Sequence, residues 1–195
     1  MDDKEAQLAI SKYLLQKYSD IINEREQRTI GEIKNLVDGT DLSVQTLVSE
    51  FKEEHFDFKE NYFVALKKTF EFVKEKIKYL ETDMGINYWL TAKEILEIKI
   101  ADDEDMAVFL CNCMKALGDD KAEVIIAELE DLHTHAFVST TQKDNFIILD
   151  PAQKHSFEEF VGTKTEVIRK YSYKKQKIKR FLYRFNSEKY EQFLE

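Results

Sequence analysis

The first half of the chain repeats its apolar residues every three or four positions, which is the spacing of one face of an α-helix. This pattern predicts helices over residues 4–37, with a break near 28–31, over 56–80 and over 91–96. We expect the first two segments to pack on the body of the protein. The alternative for residues 4–37 is a partner-binding arm, but their apolar positions do not keep a sustained heptad repeat.

The second half changes to short runs of β-branched and aromatic residues that polar turns separate. Such runs are typical of strands, and they predict one antiparallel sheet from residues 122–127, 135–140 and 145–149. Between the two halves, four acidic residues at 102–105 lead into an apolar segment that ends at Gly118. This predicts a capped central helix, whose first N–H groups could stabilise negative charge.

Toward the C-terminus, alternating residues at 167–173 and 178–185 predict a further hairpin. Asn186 or Ser187 would then cap a closing helix that ends near Phe193. Residues 171–180 mix aromatic and basic side chains, a pattern that could contact RNA or an acidic protein. We favour an exposed hairpin whose lysines discourage edge-to-edge aggregation.

Composition narrows the class of protein. The 195 residues carry a net charge of −9, which argues against nucleic-acid binding as the main role. No apolar run reaches membrane-spanning length and the N-terminus does not resemble a secretory signal, so we expect a soluble cytoplasmic protein with no membrane partner. We predict an α+β protein with an N-terminal helical region, 1–80, and a core, 81–195, that form one compact unit.

Several short motifs occur in a fixed order and together resemble the transglutaminase-like family, which has the papain-like cysteine-nucleophile fold. The resemblance spans residues 87–161, less than half of the chain. It implies a central helix packed on an antiparallel sheet, and a cleft walled by Trp89. The motifs are Tyr88-Trp89, Asp103-Glu104-Asp105-Met106-Ala107, Ala116-Leu117-Gly118, His135-Ala136-Phe137-Val138 and Leu149-Asp150-Pro151.

The resemblance implies a catalytic triad in which a cysteine at the helix start is the nucleophile. His135 matches the base and Asp150 the carboxylate that orients it, but Asp103 stands at the position of the nucleophile. Cys111 and Cys113 do not replace it, because eight residues of helix rise about 12 Å. We interpret both cysteines as small core residues with no disulfide.

This substitution predicts a degenerate site, because a carboxylate is a poor nucleophile toward an acyl carbon and would favour the charged form of the histidine. We expect a catalytically inactive binding or scaffolding protein that needs no cofactor and no metal, with an unidentified peptide or protein partner. The alternative is a hydrolase or acyl-transfer-related enzyme with altered chemistry, which would use His135 and Asp150, with or without a metal.

Overall fold

A computed structural model describes residues 3–81, 86 and 88–194 of the chain. Helices and strands alternate in the order of an α+β protein, which confirms the predicted fold class. The helices are α1 (Asp3–Lys17), α2 (Ser19–Arg25), α3 (Ile30–Asn35), α4 (Leu42–Ser49), α5 (Phe58–Lys76), α6 (Ala92–Ile98), α7 (Asp103–Ala116) and α8 (Lys164–Lys170). The strands are β1 (Lys78–Tyr79), β2 (Ile100–Ala101), β3 (Glu123–Leu129), β4 (Thr134–Gln142), β5 (Asn145–Leu149), β6 (Val161–Gly162), β7 (Ile178–Phe185) and β8 (Tyr190–Gln192).

The main sheet has the strand order β6-β5-β4-β3-β7-β8, and each neighbouring pair is antiparallel. The three predicted strands are its centre, β3 to β5. A separate parallel pair, β1 with β2, lies directly before α7 in the chain. This pair brings Tyr79 opposite Ala101, two residues before α7 begins. This pairing therefore positions the segment that leads into α7.

The central helix α7 is buried on nearly all sides, although the sequence pattern suggested one buried face. Its residues from Met106 to Leu110 are all no more than 3% exposed. The reason is that α4, α5 and α6 pack on the sides of α7 that the sheet does not cover. Side chains of α4, α5, α7 and the sheet consequently share one hydrophobic core. The domain boundary predicted at residue 80 stays a prediction.

The N-terminal helices differ from the expected packing. The predicted break falls between α2 and α3, and a second break occurs at Tyr18. The side chains of Leu8, Ile10 and Tyr13 on α1 are more than half exposed, and α2 has no buried residue. These two helices therefore lie outside the hydrophobic core, although Leu15 and Ile22 line an apolar pocket together with Leu80 and Leu90. Among the described residues, no helix is long and apolar enough to cross a membrane.

The C-terminal predictions also need correction. Residues 164–170 form α8 rather than a strand, because Thr163 and Glu166 build a capping box that starts a helix. β7 pairs with β3 instead, and only the bridge between Tyr173 and Gln176 remains of the expected hairpin. The predicted closing helix is strand β8. Asn186 does not cap a helix; its side chain accepts from the backbone of residues 188 and 189 and turns the chain back onto β7.

The loop before α4 docks on the last turns of α7. Asn112 of α7, only 3% exposed, accepts from the N–H of Asp38 at 2.7 Å and donates to the carbonyl of Leu36 at 3.2 Å. Gly39 follows and lies so close to α7 that an added Cβ would be 2.7 Å from the Cβ of Lys115. The N-terminal region is thus attached to the central helix at a position where a side chain does not fit.

We predict that Gly39→Ala destabilises the protein by about 2 kcal/mol, because an overpacked contact forces the loop away from α7. Gly31→Ala in α3 is the matched control, since its nearest atom would be at 3.8 Å. That variant should be neutral or gain up to about 1 kcal/mol from lower chain entropy. Urea denaturation measures both changes. Equal stability of Gly39→Ala and the wild type would show that the loop does not dock as described.

Candidate active site

Three side chains from separate elements lie in a row at the start of α7. Asp103 is the first residue of the helix, His135 is the second residue of β4, and Asp150 follows β5. Oδ2 of Asp103 is 2.7 Å from Nδ1 of His135, and Oδ2 of Asp150 is 2.8 Å from its Nε2. The structure therefore brings together the three residues that the sequence singled out as a site, with the histidine between two carboxylates.

Backbone structure fixes both carboxylates. Asp102 caps α7 by accepting from the N–H of Asp105 at 2.9 Å, which leaves Asp103 in the first turn. Oδ2 of Asp103 also accepts from the N–H of Ala136 at 2.9 Å. Asp103 therefore joins the helix to the strand that carries His135. Antiparallel pairing of Val138 with Leu149 brings Asp150 to the same end of the sheet.

Asp150 is fully buried, yet it is surrounded by donors. Besides His135, its Oδ2 accepts from Nε2 of Gln153 and from the hydroxyl of Tyr171, both at 2.7 Å, while Oδ1 accepts from the N–H of Ala152 at 3.0 Å. Burial raises the pKa of Asp150, but the neighbouring His135 and the Tyr171 hydrogen bond outweigh this effect and hold the pKa below its usual value. Asp150 is therefore a stable buried anion.

His135 is only 2% exposed, and its charge is set by the two carboxylates. Burial alone would lower the pKa of His135, but attraction to Asp150 and the hydrogen bonds to Asp103 and Asp150 raise it to about 9. At neutral pH the ring is therefore an imidazolium that donates from both nitrogens. Neither nitrogen has a lone pair free for a proton or a metal ion.

A tyrosine covers one face of the histidine ring, and a second tyrosine is hydrogen-bonded to the first. The ring of Tyr173 stacks on that of His135, with a centroid distance of 3.6 Å and an angle of 14°. The Tyr173 hydroxyl is 2.8 Å from that of Tyr79 in β1. Lys177 positions this segment, because its Nζ donates to the backbone carbonyls of residues 169, 170 and 171 at the end of α8.

No local motif marks Tyr79, Gln153, Tyr171 or Tyr173 as site residues. Tyr171 and Tyr173 lie in the basic segment that we interpreted as an exposed hairpin, whereas both rings are buried. The sequence feature that could have indicated this burial is the capping box of Thr163 and Glu166, which predicts a helix that ends close to Tyr171.

Further carboxylates surround the helix start. Burial and the neighbouring Asp103, Asp102 and Asp105 raise the pKa of Glu104 to about 8. Burial and Asp102 raise the pKa of Asp105 to about 7, although its Oδ1 also accepts from the N–H of Leu90 at 2.7 Å. This bond fixes the segment that contains Trp89.

Asp102, Asp103 and Glu104 each offer a carboxylate oxygen, and these oxygens lie within 4.8 Å of one another. Two of the three already have a structural role, since Asp102 caps α7 and Asp103 holds His135. Helix capping therefore accounts for the acidic run without a metal ion. The expectation that the site needs no metal stays a prediction.

An open cleft of about 870 Å³ lies beside His135. Its wall combines aromatic and acidic side chains, and Trp89 is part of it, at the position the resemblance implied. This volume is within the usual range of ligand pockets. Its lining residues include Tyr79, Tyr88, Trp89, Asp103, Glu104 and Tyr173.

We predict that the protein loses stability as the pH rises from neutral. A histidine whose pKa is higher in the folded state stabilises the fold fully below its unfolded value of about 6.5, and that contribution disappears as the pH passes through about 9. The loss should be on the order of 2 kcal/mol. The buried Glu104 adds a loss of the same sign, because its ionisation is opposed in the folded state.

Urea denaturation across this pH range measures the effect. His135→Gln should be less stable at neutral pH and should flatten the fall at alkaline pH. His133→Gln is the matched control, since this side chain is 83% exposed, and it should keep the wild-type profile. An unchanged slope in His135→Gln would show that the charge of His135 does not contribute.

Comparison with known proteins supports the fold. Residues 87–179, slightly less than half of the chain, match a family profile described as the CEP76 peptidase-like domain. No curated protein matches the sequence.

The structure is similar to LapG from Legionella pneumophila, with a TM-score of 0.55, 17% identity, and coverage of 93% of this chain and 87% of LapG. LapG treated with EGTA gives the same TM-score at 16% identity, with coverage of 94% and 86%. In calcium-bound LapG the identity is 15%, with coverage of 93% and 87%. The chain thus has a transglutaminase/papain-like fold, and its core is similar to the CEP76 peptidase-like domain.

Proposed function

We propose that this protein is a catalytically inactive relative of the transglutaminase-like enzymes, which binds a peptide-like ligand in the cleft beside His135. The observation that carries the proposal is the position of Asp103. Its carboxylate is at the start of the buried helix and 2.7 Å from Nδ1 of the histidine, where a cysteine protease requires its thiolate.

Asp103, His135 and Asp150 occupy the positions of nucleophile, base and orienting carboxylate. The group at the nucleophile position is a carboxylate instead of a thiol. A thiolate can attack an acyl carbon, whereas a carboxylate is a weak nucleophile that is already ionised at neutral pH. Asp103 also accepts from the backbone of β4. Both features support a structural role for Asp103.

Neither cysteine offers a substitute nucleophile. Cys111 and Cys113 are fully buried within α7, and burial raises the pKa of both thiols well above the usual value. The alternative of a hydrolase in which His135 activates water needs an unprotonated nitrogen. Both nitrogens of His135 donate to carboxylates, which favours the binding function over hydrolysis.

We predict that Asp103→Cys creates a reactive thiol. The new side chain would face the imidazolium of His135 at a helix N-terminus, which lowers a thiol pKa. Alkylation by iodoacetamide at about pH 6 should be at least about tenfold faster than in the matched control Glu104→Cys, which places a thiol one residue away. The double variant Asp103→Cys/His135→Ala should lose the advantage.

The wild type, His135→Ala and the three cysteine variants are assayed for hydrolysis of peptide, amide and ester panels. We expect no turnover by the wild type. Wild-type hydrolysis that disappears in His135→Ala would contradict the inactive assignment. Equal alkylation rates of the Asp103→Cys and Glu104→Cys variants would contradict the proposal that Asp103 stands at the position of a nucleophile.

A further inference from the structure

The wall of the cleft has an unusual composition. Four aromatic side chains line it, from β1, from the segment before α6 and from the turn after α8. Among the residues that the structure describes, five carboxylates line it as well, mostly on the side of α7. The aromatic residues are Tyr79, Tyr88, Trp89 and Tyr173, and the acidic residues are Glu81, Asp102, Asp103, Glu104 and Asp131.

The cations of the cleft do not balance these carboxylates. Lys174 lies at the rim, where its Nζ is bonded to Glu81. The charge of His135 is shared between Asp103 and Asp150. The remaining His133 is 83% exposed and lies 3.3 Å from Asp131. Within the described part of the chain, the acidic wall at the start of α7 has no lysine or arginine of its own.

Glu104 is the carboxylate that this imbalance affects most. It lines the cleft, and no hydrogen bond or ion pair joins it to another described side chain. Its oxygen lies within 4.8 Å of oxygens of Asp102 and Asp103. A cation that entered the cleft would reduce the repulsion among these three groups and favour the ionised form of Glu104.

Aromatic faces beside carboxylates are the surroundings that bind organic cations in proteins. The ring of Tyr173 already contacts two cationic side chains, since it stacks on His135 and the Nζ of Lys174 lies 5.3 Å from its centroid. Tyr88 and Trp89 are other rings that line the cleft a ligand would enter, together with Asp103 and Glu104. A guanidinium suits such a wall better than an ammonium, because it is planar, stacks on rings and donates to a carboxylate with two N–H groups.

We propose that the cleft binds a peptide through the side chain of an arginine or lysine residue, with Glu104 as the carboxylate that selects it. This inference rests on the proposed peptide-binding function and adds the chemical class of the ligand. The peptide chain would lie along the aromatic wall, and its cationic side chain would reach the start of α7.

The test uses fluorescence anisotropy with short labelled peptides that differ only in one central residue: arginine, lysine, glutamine or glutamate. The full chain is used in buffer with EDTA, so that divalent ions do not mask the carboxylates. We expect the arginine peptide to bind at least about tenfold tighter than the glutamine peptide, with the lysine peptide between them. Added salt should weaken binding of the arginine and lysine peptides and leave binding of the glutamine peptide unchanged.

Glu104→Gln should reduce this preference by about tenfold and leave the affinity for the glutamine peptide unchanged. Glu75→Gln is the matched control, since Glu75 is an exposed residue of α5 outside the cleft, and it should keep the wild-type preference. Circular dichroism and the thermal midpoint verify that both variants are folded.

Three results would overturn the inference, or its assignment to Glu104, in distinguishable ways. Binding of the glutamine or glutamate peptide as tightly as the arginine peptide would show that the cleft binds peptides without selecting cations, and the proposed function would stand. Binding of no peptide would remove both the inference and the peptide-binding part of the proposed function. A preference that Glu104→Gln leaves intact would exclude Glu104 as the selecting group.

Discussion

The ion pairs between His135 and the carboxylates of Asp103 and Asp150 connect the parts of this protein that carry its site. Asp103 belongs to the buried helix, His135 to the central sheet, and Asp150 to the loop after the next strand. Tyr171 adds the end of α8 through its bond to Asp150. One histidine therefore fixes the relative positions of a helix, two strands and the segment that covers it.

Such a cluster is stable only while every charge in it is paired. Removing one partner from a buried ion pair costs several kcal/mol, because a charge then remains in an apolar environment without compensation. Here the histidine has a carboxylate on each nitrogen, and Asp150 has three further donors. The same pairing that stabilises the fold keeps the imidazole protonated, so the features that make the cluster structural also make it a poor base.

Much of this arrangement could be predicted from the sequence, because it depends on local signals. The acidic cap and the apolar run predicted α7, and the β-branched runs predicted β3 to β5. The meeting of Asp103, His135 and Asp150 was implied by the resemblance to the transglutaminase-like family. The alternation at residues 167–173 wrongly predicted a strand, because the capping box at Thr163 starts a helix there. Strand β8 was missed because pairing with β7 is a tertiary interaction.

The aromatic cover of the site could not be found in this way. Tyr79 and Tyr173 are 94 residues apart in the chain, and only the folded structure brings their hydroxyls within 2.8 Å. The one-face pattern of α7 likewise did not reveal that helices α4 to α6 would cover its other sides. Sequence periodicity reports local structure and contains no information on contacts between distant segments.

NMR of the histidine ring nitrogens shows whether Asp103 and Asp150 hold His135 as an imidazolium. Nitrogen shifts of the ¹⁵N-labelled protein, followed from about pH 6 to 10, distinguish the charged ring from either neutral tautomer. We expect His135 to be protonated on both nitrogens at neutral pH, with a pKa of about 9, and Asp103→Asn to lower this pKa. A neutral His135 at pH 7, with a pKa at or below the ordinary value of about 6.5, would contradict it.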